Sequence, residues 1–206
     1  MRNYTKILFF GFLGIYLTGC TSLMTIEEAA PRISIKQASE PLVIAVLDQR
    51  PYVLNKKKTT SFEGLIRSNF GIPYSYSTPT HEPLSIYLGK RVEHGFKVNG
   101  ITATLYPTSL ETTKETLLKK LAQDGEKSLI ISLSEWKYDH HTFVKSSTYD
   151  ADIIVIDKQG NSLVQKKFTG KDDIPSGAIA NAMQQVYKAR FEHIFDDAEI
   201  RQALER

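Results

Sequence analysis

Apolar and polar positions change period several times along this chain, and each change is marked by a proline, a glycine or a short polar cluster. Leu42 to Leu47 is an unbroken apolar run rich in β-branched residues and closed by Asp48-Gln49-Arg50-Pro51. That is the pattern of a strand buried on both faces. After Pro83, the residues Leu84, Tyr87, Leu88, Val92 and Phe96 recur at helical spacing, with Gly95 and Gly100 near the end. The spacing predicts an amphipathic helix with Pro83 at its first position. Ile101 to Tyr106 reads as a short strand. Thr108 and Glu111 then offer a capping box for a helix carrying Leu110, Leu117, Leu118 and Leu121 and stopped at Gly125.

Three strand patterns follow: Ser128 to Tyr138, Tyr149 to Asp157 and Ser162 to Thr169, the last two joined by the turn Lys158-Gln159-Gly160-Asn161. Simple alternation in the first places Leu129, Ile131 and Leu133 on one face and Ile130, Trp136 and Tyr138 on the other. Pro175 opens a final helix with the stripe Ile179, Met183, Val186, Tyr187, Arg190, Ile194 and Phe195. The region from Arg50 to Pro79 is read as loop, with one added edge strand near Arg50 to Lys56. The order implies an α/β (α+β) fold, a mixed sheet of about four to six strands with three helices packed on it.

The N-terminus has a different character. Arg2 and Lys6 precede an apolar run from Ile7 to Leu17, and Leu17-Thr18-Gly19-Cys20 closes it with small residues before a cysteine. This is a signal peptide with a lipobox. The run is well short of the ~20 residues a permanent membrane helix needs. Residues 1–19 are therefore expected to be removed and Cys20, the single cysteine, to carry lipid. Two or three acyl chains anchor a protein where one does not, since each buried methylene adds about 0.8 kcal/mol. Thr21 and Ser22 follow, rather than the aspartate that retains lipoproteins at the inner membrane. In a cell with two membranes the expected address is the outer membrane, periplasmic face. Thr21 to Glu40 lacks sustained periodicity and is read as a flexible linker spanning about 25 Å if fully coiled, with a short strand near Arg32 to Lys36 as the other option. Residues 41–206 then form a single domain.

Loss of Arg2 and Lys6 takes the 26 basic side chains to 24, against 23 acidic ones. With no strong net field, composition gives no argument for nucleic acid. Lys56-Lys57-Lys58 is read as a solvated turn, with anionic headgroups or peptidoglycan as the functional alternative.

The lipobox Leu17 to Cys20, the segment Val43 to Pro51 ending Val-Leu-Asp-Gln-Arg-Pro, and a helix reaching Gly95-Phe96 before a strand resemble the YajG-like group of proteobacterial lipoproteins. The resemblance spans most of the mature chain through short, mainly structural motifs. It implies an architecture similar to small periplasmic modules such as the N-terminal domain of TolB and the LpoB-type activators of peptidoglycan synthases. Those modules bind proteins and are not enzymes. The segment Lys56 to Pro79 departs from a compact version of such a module.

Catalytic signatures are sparse. The histidines at 81, 94, 140, 141 and 193 form no His-Glu-x-x-His, and His140 and His141, adjacent on a strand end, point to opposite faces. Asp172-Asp173 and Asp196-Asp197 have no identifiable partner acid or base across a cleft. No nucleophile elbow, phosphate loop or cofactor signature is present, and Cys20 is committed to lipid. The best claim to recognition lies in Gly71 to Pro79, where Tyr74 and Tyr76 alternate with prolines and small polar residues. The alternative is that Tyr74 and Tyr76 simply cover the underside of the loop. The leading expectation is a noncatalytic module that docks onto another envelope protein. A second is a binder of cell-wall glycan or a small molecule, in a polar cleft near Arg50, Tyr74 and Tyr76. A third is a hydrolase with dispersed catalytic groups. An exposed apolar patch or free sheet edge favours the first, and a pocket of convergent carboxylates or a perturbed histidine favours the last.

Overall fold

The computed structural model describes residues 22–35, 40–142 and 145–206; the lipobox and Cys20 lie outside them. In chain order the elements are α1 (Ile26–Ala29), β1 (Leu42–Asp48), α2 (Pro51–Leu54), β2 (Phe62–Arg67), β3 (Pro73–Ser77), α3 (Leu84–Val98) and β4 (Ala103–Tyr106). They continue with α4 (Lys114–Asp124), β5 (Ser128–His140), β6 (Lys145–Ile156), β7 (Ser162–Asp173), α5 (Ile179–Asp196) and α6 (Ala198–Glu205). The α/β class stands, and the three long helices fall where the periodicity places them. The sheet has seven strands: the edge strand expected near Arg50 to Lys56 is instead the short helix α2, which Pro51 opens, and two strands form farther on, as β2 and β3.

β5 organises the sheet. β6 pairs antiparallel along its whole length, and β7 pairs antiparallel with β6. The opposite edge of β5 is shared: β1 runs parallel to residues 128–133 and β2 parallel to residues 138–140. β4 then flanks β1, and β3 flanks β2 as an antiparallel hairpin. β1 is buried on both sides, as its unbroken apolar run demands. Leu42, Ile44 and Val46 join the large core under α3, α5 and α6, while Val43, Ala45 and Leu47 join a smaller core with Leu117 and Leu121 of α4.

Three departures from the sequence pattern have physical causes. A β-bulge between Leu133 and Glu135 inserts one residue into β5 and reverses the alternation beyond it. Trp136 and Tyr138 therefore share the large core with Leu129, Ile131 and Leu133. The cap of α4 is Thr113 with Thr116, a reciprocal box, while Thr108 donates its hydroxyl to the Val46 carbonyl. α5 begins at Ile179, four residues past Pro175.

The linker expectation also changes. Residues 22–35 are packed on the domain: Ala29, Ala30, Ile33 and Ile35 are buried. Asn181 of α5 accepts from the Met24 amide at 2.8 Å and donates to the Ser22 carbonyl at 2.8 Å, while Lys188 donates to the Glu28 carbonyl at 2.9 Å. Four small apolar side chains supply the burial that a sustained periodicity was expected to announce.

Candidate interaction site

Arg50 belongs to the interior, so the polar cleft expected around it with Tyr74 and Tyr76 is not formed. Its side chain is 0% exposed. Nε and Nη2 form a fork on the Asp48 carboxylate at 2.8 and 2.7 Å. Nη1 donates to the carbonyls of Phe62 at 2.7 Å and Trp136 at 3.0 Å. β1 leaves β5 at Leu133 and β2 joins it at Tyr138, so the guanidinium fills the gap between the two strands. Burial works against its charge, but the bonds to Asp48 more than offset this and hold its pKa above the ordinary value.

Tyr74 and Tyr76 lie on β3, at the edge of the sheet. The strand pairs with β2 on one side and with no other described strand on its other side. Phe70 is 93% exposed, Ile72 53%, Tyr74 55% and Tyr76 45%. Strand period places residues 72, 74 and 76 on one face. The register continues that face through Ile66 and Gly64 of β2 to Tyr138 of β5. The alternation Phe70-x-Ile72-x-Tyr74-x-Tyr76 was visible in the sequence, but Gly71 and Pro73 between its members read as loop punctuation.

Ladder bonds fix which backbone groups are free. The Ser68 amide donates to the Ile72 carbonyl at 3.0 Å and the Thr78 amide to the Ser61 carbonyl at 2.8 Å. Alternation between these ends turns the N–H and C=O of Ser75 and Ser77 away from β2. On the side-chain face opposite the tyrosines, Lys58 donates to the Ser75 hydroxyl. Lys56 and Lys57 stand exposed in the turn that leads to β2, whereas Lys58 is half-buried with its ammonium 4.8 Å from the centre of the Phe62 ring. None of these three lysines is in an ion pair with a described residue.

Several of the titratable groups with chemical promise are engaged or enclosed. Asp172 accepts from Nε and Nη2 of Arg190 at 3.0 and 2.6 Å, and Arg190 is sandwiched by Trp136 and Tyr149 at 4.3 and 4.1 Å. This pair forms one wall of a groove of about 370 Å³ that is also lined by Asp173, His193 and Gln185. Asp197 caps α6 and accepts from Lys166 at 2.7 Å. Burial holds the His140 pKa below its usual value. Among the described residues no group of three or more His, Cys, Asp or Glu could hold a metal ion. Glu63, the bulge residue of β2, is buried and faces Tyr187, Arg91 and Arg50; burial lifts its carboxyl to about 7. The Tyr187 hydroxyl lies near enough to couple with that carboxyl without the geometry of a formed hydrogen bond. Glu63 carries no sequence signal, since only the bulge turns it inward.

No family model matches the chain, and no curated protein matches it. Similar solved structures include an uncharacterised protein at 9% identity and TM-score 0.46, covering 81% of this chain and 94% of that one. Lipoprotein GNA1162 from Neisseria meningitidis is 17% identical at TM-score 0.32, with 76% and 98% covered. The hypothetical protein CT253 from Chlamydia trachomatis is 10% identical at TM-score 0.40, with 77% and 99% covered. All lie below a TM-score of 0.5, so no property of theirs is carried to this chain. No helix among the described residues is long and apolar enough to cross a membrane.

Proposed function

We propose that this chain is a lipid-anchored envelope protein that docks onto another envelope protein and performs no chemistry of its own. The observation that carries the reading is the β2–β3 hairpin, an unpaired sheet edge bordered by the exposed row Phe70, Ile72, Tyr74 and Tyr76. A row of free backbone groups beside apolar side chains is a template for another chain. Sheets that remain alone protect their edges with charge. β7, the long edge, carries Lys166, Lys167 and Lys171, whereas β3 carries no charged residue of its own.

The lipobox supports attachment through Cys20, and Thr21 supports the periplasmic leaflet of an outer membrane. The YajG-like resemblance supports the same class. A noncatalytic role is supported by the fate of the acidic groups: Asp172 is held by Arg190, Asp139 by Arg67, and Glu63 is enclosed.

The test is in-cell crosslinking of the full-length anchored chain, comparing it with a Phe70→Ser/Ile72→Ser variant. Both residues are exposed, so the fold should survive. A defined protein crosslinked to the native chain and lost in the variant is expected. Recovery of the same partners in equal yield from the variant would overturn the hairpin as the docking surface.

A further inference from the structure

We infer that the free edge of β3 takes one further strand, an extended protein segment whose side chains alternate between apolar and acidic. The inference rests on the docking reading above and names the chemistry of the partner at that same surface. Three features meet at the edge. The main chain of Ser75 and Ser77 offers outward N–H and C=O groups, and Pro73 offers a carbonyl. On one face, Ile72, Tyr74 and Tyr76 present apolar and aromatic area. On the other, Lys58 sits on the Ser75 hydroxyl, with Lys56 and Lys57 exposed beside it in the same turn. An added strand turns alternate side chains to these two faces. Those over the tyrosines gain from burial, and those over the lysines gain from negative charge.

The same geometry disfavours the other occupants. Two copies pairing antiparallel through β3 would set Ser75 opposite Ser75 and bring the two Lys58 ammonium groups together, a like-charge contact without a described counterion. A lipid surface calls for apolar and cationic groups on one side of a plane. Here the tyrosine row and Lys58 are on opposite faces of the strand, flanking its hydrogen-bonding edge. β7 is a poorer edge because its lysines already have partners: Lys166 with Asp197 and Glu199, and Lys167 with Asp150.

The experiment uses the full lipidated chain in detergent and two labelled, end-blocked heptapeptides, one alternating valine with glutamate and one alternating valine with lysine. Fluorescence anisotropy should show the glutamate peptide binding at least tenfold more tightly at low salt, with the gap narrowing as salt is raised. Lys56→Glu/Lys57→Glu, both exposed in the turn, should narrow the gap, and Lys58→Glu, which also gives up the contact with the Phe62 ring, should reverse the order. Ser75→Pro removes an outward donor and should weaken binding at least tenfold, while Ser75→Ala, which keeps that N–H, should not. Equal affinities for the two peptides, or no binding of the glutamate peptide at millimolar concentration, overturn the inference. The docking reading survives that result if the crosslinks lost in Phe70→Ser/Ile72→Ser are still seen with the native hairpin. Co-sedimentation of the Cys20→Ser chain with phosphatidylcholine–phosphatidylglycerol vesicles, abolished by Phe70→Ser, also overturns it, because the occupant is then a membrane.

Discussion

Glu63 and Arg50 are the two residues on which the middle of the sheet turns, and neither side chain has access to solvent. Arg50 is charge-matched by Asp48 and bonds to both strands that flank it. Glu63 is less well provided: one carboxylate oxygen has no hydrogen-bond partner, nor do the hydroxyls of Tyr87 and Tyr187 near it. Burial raises its pKa from 4.5 to about 7 despite Arg91 and Arg50. The folded protein therefore holds a proton that the unfolded chain releases between those values. Stability contributed by this group is complete below about pH 4.5 and is lost as pH rises towards 7, by on the order of 3 kcal/mol. His140, whose pKa burial lowers, acts with the opposite sign in the same range. Urea unfolding of the native chain and of Glu63→Gln between pH 4.5 and 7.5 cancels the histidine term in the difference. The native chain should lose stability relative to the variant as pH rises, and a constant difference would refute the assignment.

At the scale of elements, the β2–β3 hairpin depends on a close approach that no larger residue permits. Gly64 faces Tyr138 across the ladder, and a Cβ there would lie 2.5 Å from the Tyr138 ring and 2.6 Å from its carbonyl oxygen. The carbonyl cannot yield, so the strand must move. Gly64→Ala should cost about 1–3 kcal/mol, and amide exchange should quicken in β2 and β3 before it does in β1. Uniform acceleration across the sheet would mean that the hairpin is not an independent unit. β1, α3 and α5 were legible because an unbroken apolar run or a helical stripe has one reading. β2 and β3 were hidden because the surroundings of Glu63 and Gly64 lie far away on α3, α5 and β5, while Gly71, Pro73 and Pro79 suggest loop. The bulge in β5 defeated simple alternation for the same reason. It is a property of pairing with β6, and residues 133 to 136 show nothing of it. The exposure of Tyr74 and Tyr76 agrees with the sequence pattern, but Arg50, expected in a polar cleft, is buried because the Trp136 carbonyl that helps hold it is 86 residues away in the chain.

Whole-molecule behaviour follows from where the chain leaves the domain. Ser22 and Met24 are bonded to Asn181 of α5, so only Thr21 separates the proposed lipid site at Cys20 from the first bonded residue of the folded body. A chain spans at most about 3.6 Å per residue, which puts the Cys20 and Ser22 Cα atoms within roughly 7 Å of each other. An anchored domain would then rest against its membrane instead of ranging over the 25 Å that a coiled twenty-residue linker would give. Cys20→Ser, made behind an ordinary cleavable signal peptide in place of residues 1–19 so that no apolar leader stays attached, removes the acceptor for lipid while leaving every buried side chain of the domain in place. The variant should move to the soluble envelope fraction on cell fractionation and unfold at the same urea midpoint as the native domain. Quantitative retention in the membrane pellet would refute lipid as the tether and point to a protein-held attachment. A second variant carrying ten glycine and serine residues inserted after Thr21 isolates the short reach itself. It should stay membrane-bound through Cys20 but expose the domain to a protease added to opened envelopes faster than the native chain does, because only the separation from the membrane has changed.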